Sequence, residues 1–404
     1  MSFLNHPRVT TRRRTTAGET TSRTSPPPGV GPYVAAGDRV DYAGNRIFGP
    51  LESVLERRPD PDAFARVVPS LASEPMWTDV AIVNDVVFRS SVDYLTGLGA
   101  RFVPLPLTTR MISSPGAVYG RERISYTTDT SPIKLAWFEG HTAFLAESSQ
   151  IYLELALLVD QVDAVFCVYN SFRKEEADAT HLPEFRHVEY EGHVQQARNK
   201  EIALGLLFRV VRDLLEHPSG LLERILTREQ LDGLATLEQR VFDIEFSEAL
   251  EALLEETGDE RYRTFTLEHF GSPEEVLVTQ IYGGLVLLNH FPLLEVPFYH
   301  AISDTRGPAD ALVAENTDVV WPGYREVIGS GQRVGSIEEL EEKAEIFNLP
   351  RDDYAPYLQS RELAGYQESS GFGMGWERLV QGVLHMPFIY SAVPFPRTHL
   401  GLRP

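Results

Sequence analysis

Basic residues are scarce in this chain: 37 lysines and arginines stand against 58 aspartates and glutamates, a formal net charge of −21 over 404 residues. A protein that tracks long nucleic acid replaces phosphate counterions with its own positive surface, so this balance weighs against bulk RNA or DNA binding. Cysteine is scarcer still. The single Cys167, in an apolar stretch, excludes a disulfide framework and a cysteine-rich zinc site, and it fits a reducing cytoplasm. No run of eighteen apolar residues occurs, so no segment reads as a membrane-spanning helix, and the N-terminus lacks the apolar core of a secretory signal. A Gly-x-Ser-x-Gly nucleophile elbow and any repeat of 20–50 residues are also missing. His181, His187 and His193 fall six apart, which suits neither helical nor tight-loop zinc spacing.

What is present is globular: 43% hydrophobic and 24% charged residues, with length enough for a large core. Residues 1–32, rich in Thr, Arg, Ser and Pro and carrying Arg12-Arg13-Arg14 and Pro26-Pro27-Pro28, read as a disordered tail. Residues 33–75 are punctuated by proline and read as weakly structured. Residues 78–98 place Val80, Val83, Val87, Ser91, Tyr94, Leu95 and Leu98 on one helical face. A strand over 102–112 is interrupted by Pro104 and Pro106, which confines it to an edge or an interface.

Further on, a short strand (143–146), a helix (151–159) and a strand (164–168) lead through a loop to a strand over 184–190. Residues 192–216 form a strong amphipathic helix, with Ile202, Leu206, Val210 and Leu214 on its apolar face. Residues 219–260 stay helical and turn acidic, from Glu245 to Glu260 without a basic residue, which reads as a solvated face. Strands and helices alternate again from Glu274. The expected architecture is one α+β domain over 33–404, an antiparallel sheet flanked by helices, with a helical insertion at about 195–262.

Three clusters carry chemistry. Gly371-Phe-Gly373-Met-Gly375-Trp-Glu377-Arg378 places three glycines at alternate positions, a strand whose bare backbone admits a ligand, before an amphipathic helix. Arg378 at that junction suits a phosphate held in a fixed fork. In the second cluster, Arg173 can pin an α-phosphate, Glu175 can accept from an adenine amino group, and Phe185 can stack on the ring. In the third, Asp318 and Glu326 offer hard oxygen ligands for Mg²⁺, and Arg333 can grip a small carboxylate or amide. A Rossmann site is disfavoured, since the glycines follow Gly-x-Gly-x-Gly.

Together these motifs resemble the catalytic domain of class II aminoacyl-tRNA synthetases, aspartyl/asparaginyl branch, over roughly residues 80–404. Arg173-x-Glu175…His181-Leu-x-Glu-Phe185 resembles motif 2 and Gly371–Arg378 resembles motif 3. Pro322-Gly-x-x-Glu326-x-Ile-Gly-x-x-Gln332-Arg333 and Pro394-Phe-Pro-Arg-Thr398 resemble segments specific to the branch. The resemblance implies a six- to seven-stranded antiparallel sheet that binds bent ATP. Arg173 would hold the α-phosphate and Arg378 the γ-phosphate, and Phe185 and Arg378 would sandwich adenine, with Glu175 at its amino group. His181 would lie near the outer phosphates, Gly373 and Gly375 against ATP, and Asp318 and Glu326 would carry Mg²⁺. Gln150 and Glu189 would surround the amino acid's ammonium, with Gly371 beside it and Arg333 facing its side chain. A homodimer through the region of Pro104 and Pro106 is implied as well.

Within the branch, Ser149-Gln150-Ile-Tyr-Leu153-Glu154 resembles the asparaginyl version, with Leu153 where aspartyl enzymes have lysine, and Glu189 points the same way. There are departures. The N-terminal residues do not show the five strands of an anticodon-reading barrel. Thr180 replaces an arginine before the histidine, and Glu368-Ser369 replaces Pro-His before motif 3. The expected activity is therefore a free-standing, AMP-forming ligase. It would adenylate aspartate or a related small amino acid and pass the acyl group to ammonia or a small amine, with tRNA unlikely as partner. The alternatives are transfer to tRNA, a carrier protein or a protein lysine, and a non-catalytic regulator.

Overall fold

The computed structural model describes residues 33–36, 39–42, 45–48, 67–115, 131–386, 388–399 and 402. The tail expected to be disordered, residues 1–32, lies outside them. The described parts of the stretch from 33 to 75 hold more regular structure than the sequence suggested. β1 (Tyr33–Ala36), β2 (Arg39–Tyr42) and β3 (Asn45–Phe48) form an antiparallel sheet, and Val67–Ser73 is helical. Four-residue strands are too short for alternation to stand out from the surrounding sequence.

The segment expected as one interrupted strand is split between two sheets by its prolines. β4 (Arg101–Phe102) lies at the edge of the central sheet, and β5 (Thr108–Thr109) joins a small sheet with β6 (Lys134–Ala136) and β7 (Thr142–Leu145). The central sheet continues with β8 (Ala164–Phe172) and β9 (Glu184–Gly192), a long antiparallel hairpin. It is completed by β10 (Val241–Glu245), β11 (Leu285–Asn289), β14 (Asn316–Val320), β15 (Glu326–Gln332) and β16 (Ser370–Gly375). A separate hairpin is made by β12 (Ile302–Arg306) and β13 (Leu312–Ala314). The order across the central sheet is β10-β11-β14-β15-β16-β9-β8-β4. The six inner strands are antiparallel, as expected, and each edge strand adds in parallel.

β10 corrects the expectation that residues 219–260 stay helical. The helices Leu221–Ile225, Arg228–Ala235 and Phe246–Thr257 are there, but Val241-Phe-Asp-Ile-Glu245 is an edge strand between them. Its two-residue alternation spans only five residues, too few to break a helical reading from sequence. The acidic run does face solvent: Glu248, Glu251, Glu255, Glu256 and Glu260 are exposed.

The back of the sheet is the core. Val188 and Tyr190 of β9, Phe372 and Met374 of β16, Ile328 of β15 and Val319 of β14 pack against the helices Met76–Gly97 and Gln196–Leu215. Val80, Val83, Val86, Val87 and Leu95 bury the apolar face of the first helix; Leu98, expected there, caps it and stays exposed. Period-two alternation then fixes what the opposite face carries. His187, Glu189 and Glu191 of β9, Gly371, Gly373 and Gly375 of β16, Gly329 and Gly331 of β15, and Asn316 and Asp318 of β14 all belong to it. A strip of glycines runs down the middle of this face, with charged side chains on both sides.

Candidate active site

Sheet register makes the site. Asp318 pairs with Gly329, Gly329 with Gly373, and Gly373 with Glu189. Two carboxylates are thus separated by two glycines, three strand spacings or roughly 14 Å apart. Above this bare floor lies a continuous cleft. One end is lined by Arg173, Glu175, His181, Phe185, Gly375 and Arg378. The other is lined by Glu147, Gln150, Glu189, Tyr299, His300 and Arg333, and Arg173, Glu326 and Gly373 line both ends.

At the first end the β8–β9 hairpin positions the expected group. The Arg173 guanidinium carbon lies 5.3 Å from the centre of the Phe185 ring, and its Nε is buried without a hydrogen-bond partner. An orphaned buried donor is costly unless a ligand completes it. Phe185 meets His187 at 4.9 Å with the two rings perpendicular, so His187 and the Arg173 guanidinium over it fix the orientation of the ring. His187 itself is pulled down to about 3 by burial and by the charges of Arg173 and Arg378, and its Nδ1 shares a hydrogen bond with Ser171 Oγ at 2.7 Å. It is a neutral wall of the cleft. Arg378 starts the helix Trp376–Val383 and donates from Nη1 to the Glu326 carbonyl at 2.6 Å, while Glu377 turns away to anchor Arg186 at 2.9 Å. His181 lines the cleft, and both its ring nitrogens are engaged: Nδ1 meets Asp178 Oδ2 at 2.8 Å, and Nε2 faces Arg325.

Asp318 and Glu326 face each other across the β14–β15 pair. A Cβ on Gly329 would stand 2.6 Å from Glu326 Oε1 and 3.6 Å from Asp318 Oδ1, so the glycine leaves room for both carboxylates. Burial, then repulsion from Glu326 and Glu275, pushes the Asp318 carboxyl well above its ordinary range. A pair of mutually repelling carboxylates fits Mg²⁺, which takes one or two carboxylates and completes its shell with phosphates and water. Among the described residues no group of three or more His, Cys, Asp or Glu is placed to hold a metal, so protein alone would not saturate the ion.

The other end departs from expectation in detail. Glu189 is buried, accepting from Ser148 Oγ and the Ser149 backbone N–H, both at 2.7 Å; burial nevertheless pushes its carboxyl up. Gln150 lines the cleft but donates from Nε2 to the Phe372 carbonyl at 3.1 Å and accepts from Arg333 through Oε1. Arg333 is buried and gripped by Glu191, with Tyr299 beneath it at 5.1 Å. Gly371 does not line the cleft. A side chain there would strike Glu191 and Arg333, so its role is to leave space for that pair. Sequence reasoning missed Glu191, Arg325 and Glu147. The last is buried against the Ser114 N–H at 2.9 Å, its Oε1 is unpartnered, and burial pushes it up to about 7. Only Glu191 had a sequence signal, its two-residue spacing from Glu189.

The family profile described as tRNA synthetases class II (D, K and N) matches residues 124–399. The asparagine–tRNA ligase of Sorangium cellulosum is 28% identical over 333 residues, covering 80% of this chain and 70% of that protein. An asparagine–tRNA ligase of Thermus thermophilus is 31% identical over 299 residues, 72% of this chain and 64% of that one, so less than two thirds of its length is matched. Among solved structures, the asparaginyl-tRNA synthetase from Pyrococcus horikoshii complexed with asparaginyl-adenylate superposes with a TM-score of 0.73 at 24% identity, covering 90% of this chain and 81% of that one. The Entamoeba histolytica asparaginyl-tRNA synthetase gives 0.70 at 21% identity, covering 89% of this chain and 77% of that one. At these identities the structural likeness speaks for the fold.

Proposed function

Because the chain belongs to the class II tRNA synthetases, we propose that it is an ATP-dependent ligase that activates the carboxylate of asparagine, or of a small amino acid bearing a similar polar end, as an aminoacyl-adenylate. The observation that carries the choice of substrate is the ion pair of Arg333 with Glu191, at 2.7 Å between Nη2 and Oε2. A lone arginine at the bottom of such a pocket would select a carboxylate side chain. An arginine already neutralised by Glu191 leaves little net charge for a second carboxylate to pair with, which suits a neutral amide. Leu153, buried where a lysine would meet a carboxylate, adds no positive charge.

The chemistry needs positioning and charge neutralisation more than proton transfer. A carboxylate oxygen of the amino acid attacks the α-phosphorus, the bond to the bridging oxygen breaks, and pyrophosphate leaves. Arg173 would stabilise the charge on the α-phosphate, Arg378 would hold the γ-phosphate and with Phe185 stack the adenine, with Glu175 at its amino group, and Glu189 would meet the ammonium. Asp318 and Glu326 would hold Mg²⁺, which neutralises charge on the outer phosphates. In the second step an amine nitrogen attacks the acyl carbon, AMP leaves, and the nitrogen's proton passes to solvent. We assign ammonia or a small amine as acceptor, supported by the net charge of −21. The names of the matched relatives favour a second reading, in which the acceptor is tRNA. A homodimer through the exposed Phe102 and Leu107 belongs to the same proposal.

Pyrophosphate exchange across a panel of amino acids tests the first step: exchange with asparagine is expected, and none with any member sinks the proposal. Mass spectrometry of products with ammonium, small amines or tRNA supplied separates the two acceptor readings.

A further inference from the structure

The outer part of the cleft holds a third arginine that the site assignments above leave without a role. Arg325 occupies the turn between β14 and β15. There Trp321 N–H donates to the Arg325 carbonyl at 3.1 Å, and Gly323, at φ 74°, donates its N–H to Thr279 Oγ1 at 2.8 Å. Thr279 lies on the helix Ser272–Tyr282, which also supplies Glu275, whose Oε2 takes the Arg325 Nε proton at 2.8 Å. Turn and side chain are therefore fixed by one helix. The guanidinium points into the hollow lined by Arg173, His181, Asp318, Glu326 and Arg378.

His181 closes the arrangement from the other side. Asp178 Oδ1 accepts the backbone N–H groups of Thr180 and His181 at 2.7 and 2.8 Å, and its Oδ2 holds His181 Nδ1. With Nδ1 carrying the proton toward Asp178, Nε2 is an acceptor and takes a proton from Arg325 Nη1. The relay Asp178–His181–Arg325–Glu275 uses both nitrogens of the imidazole. Among the described residues Arg325 Nη2 donates no hydrogen bond, so its N–H groups are left for a ligand while Nε and Nη1 hold the relay. A neutral, doubly engaged histidine cannot itself neutralise a phosphate; the guanidinium it orients can.

Resting on the ATP-binding reading above, we propose that Arg325 holds the β- and γ-phosphates of ATP, and that His181 is its positioning residue and makes no phosphate contact of its own. Arg173 then serves the α-phosphate, and Arg378 and Arg325 grip the outer phosphates from two sides.

The test is calorimetric binding of ATP and of AMP, with Mg²⁺, to the full chain, because AMP lacks the two phosphates in question. Arg325→Gln keeps a donor for Glu275 and should weaken ATP at least tenfold while leaving AMP within twofold. Arg325→Lys should recover part of the loss. His181→Asn, which leaves the Arg325–Glu275 pair in place, should weaken ATP several-fold and spare AMP. Arg173→Gln, the comparator, should weaken both nucleotides. If Arg325→Gln or His181→Asn lowers ATP and AMP affinity equally, or neither, the assignment of Arg325 is wrong while the adenylation reading stands. If the unaltered protein binds neither nucleotide, the adenylation reading falls and takes this one with it.

Discussion

Glu191 and Arg333 form a buried two-pronged ion pair: Arg333 Nε lies 3.1 Å from both carboxylate oxygens of Glu191, and Nη2 lies 2.7 Å from one. Both side chains are almost wholly out of water. Burial pushes the Glu191 carboxyl up and Arg333 pulls it back. We expect Glu191→Gln to leave Arg333 with an unmet charge at the floor of the amino-acid end. Breaking a buried pair from one side costs roughly 3–5 kcal/mol, less here because glutamine still accepts. The informative readout is selectivity: asparagine-dependent exchange should fall about a hundredfold and aspartate should gain on it. An unchanged asparagine-to-aspartate ratio would remove the pair from substrate choice.

Gly371 and Gly373 look equivalent in sequence and should respond differently. A Cβ on Gly371 would stand 2.5 Å from the Tyr190 carbonyl and 2.6 Å from Arg333 Nη2. Backbone and a buried pair cannot yield, so Gly371→Ala should lower the melting temperature by several degrees. On Gly373 the nearest atom is Glu189 Cγ at 3.5 Å, an ordinary contact. Gly373→Ala should melt with the parent and lose ATP affinity, because its methyl group occupies the cleft floor. Equal melting losses in the two variants would contradict the assignment of Gly373 to the open floor.

The difference between these glycines shows what sequence can and cannot reveal. The Gly-x-Gly-x-Gly alternation put all three on one face of β16, because a strand's period is a local property. Which glycine lines the cleft depends on what the next strand places opposite, and Glu191 opposite Gly371 is a matter of register. Arg173 and Phe185 stand at the two strand ends that flank the β8–β9 loop, and Arg378 lies in the first turn of the helix after β16, so local pattern marks all three. Arg325 was not legible, since a turn residue's direction follows from Thr279 and Glu275, some fifty residues earlier in the chain. β10 was missed for the same reason: its partner β11 lies beyond the helices Phe246–Thr257 and Ser272–Tyr282, and only pairing makes it a strand.

The acid pair of Asp318 and Glu326 carries a cost that a cation removes. A carboxyl whose folded value is raised contributes destabilisation that grows as pH climbs from the ordinary carboxylate range through the raised value. At neutral pH we expect the metal-free protein to be stabilised by Asp318→Asn. Mg²⁺ should raise the melting temperature of the parent and not of this variant. A magnesium shift that survives in Asp318→Asn would place the ion elsewhere.

His290 gives a pH signature of the opposite sign, outside the cleft. Burial alone would lower it, but hydrogen bonds and charge from Glu245, at 2.7 Å, and Glu315, at 3.4 Å, raise it to about 9. A histidine raised in the folded state contributes stability that is fully present below its unfolded value of about 6.5 and is lost as pH rises through the folded value. Glu245 is partly exposed, so screening reduces the contribution to about 1–2 kcal/mol. The parent should therefore lose melting temperature between about pH 6.5 and 9. His290→Asn keeps a residue that tolerates the local φ of 59° while removing the titrating ring, and its profile should be flatter over that window. Amino-acid-dependent exchange in this variant should match the parent at neutral pH, since His290 borders a separate hollow with Lys200, Asp243 and Asn289. Parallel pH profiles in parent and variant would show that the two carboxylates do not hold the charged imidazole.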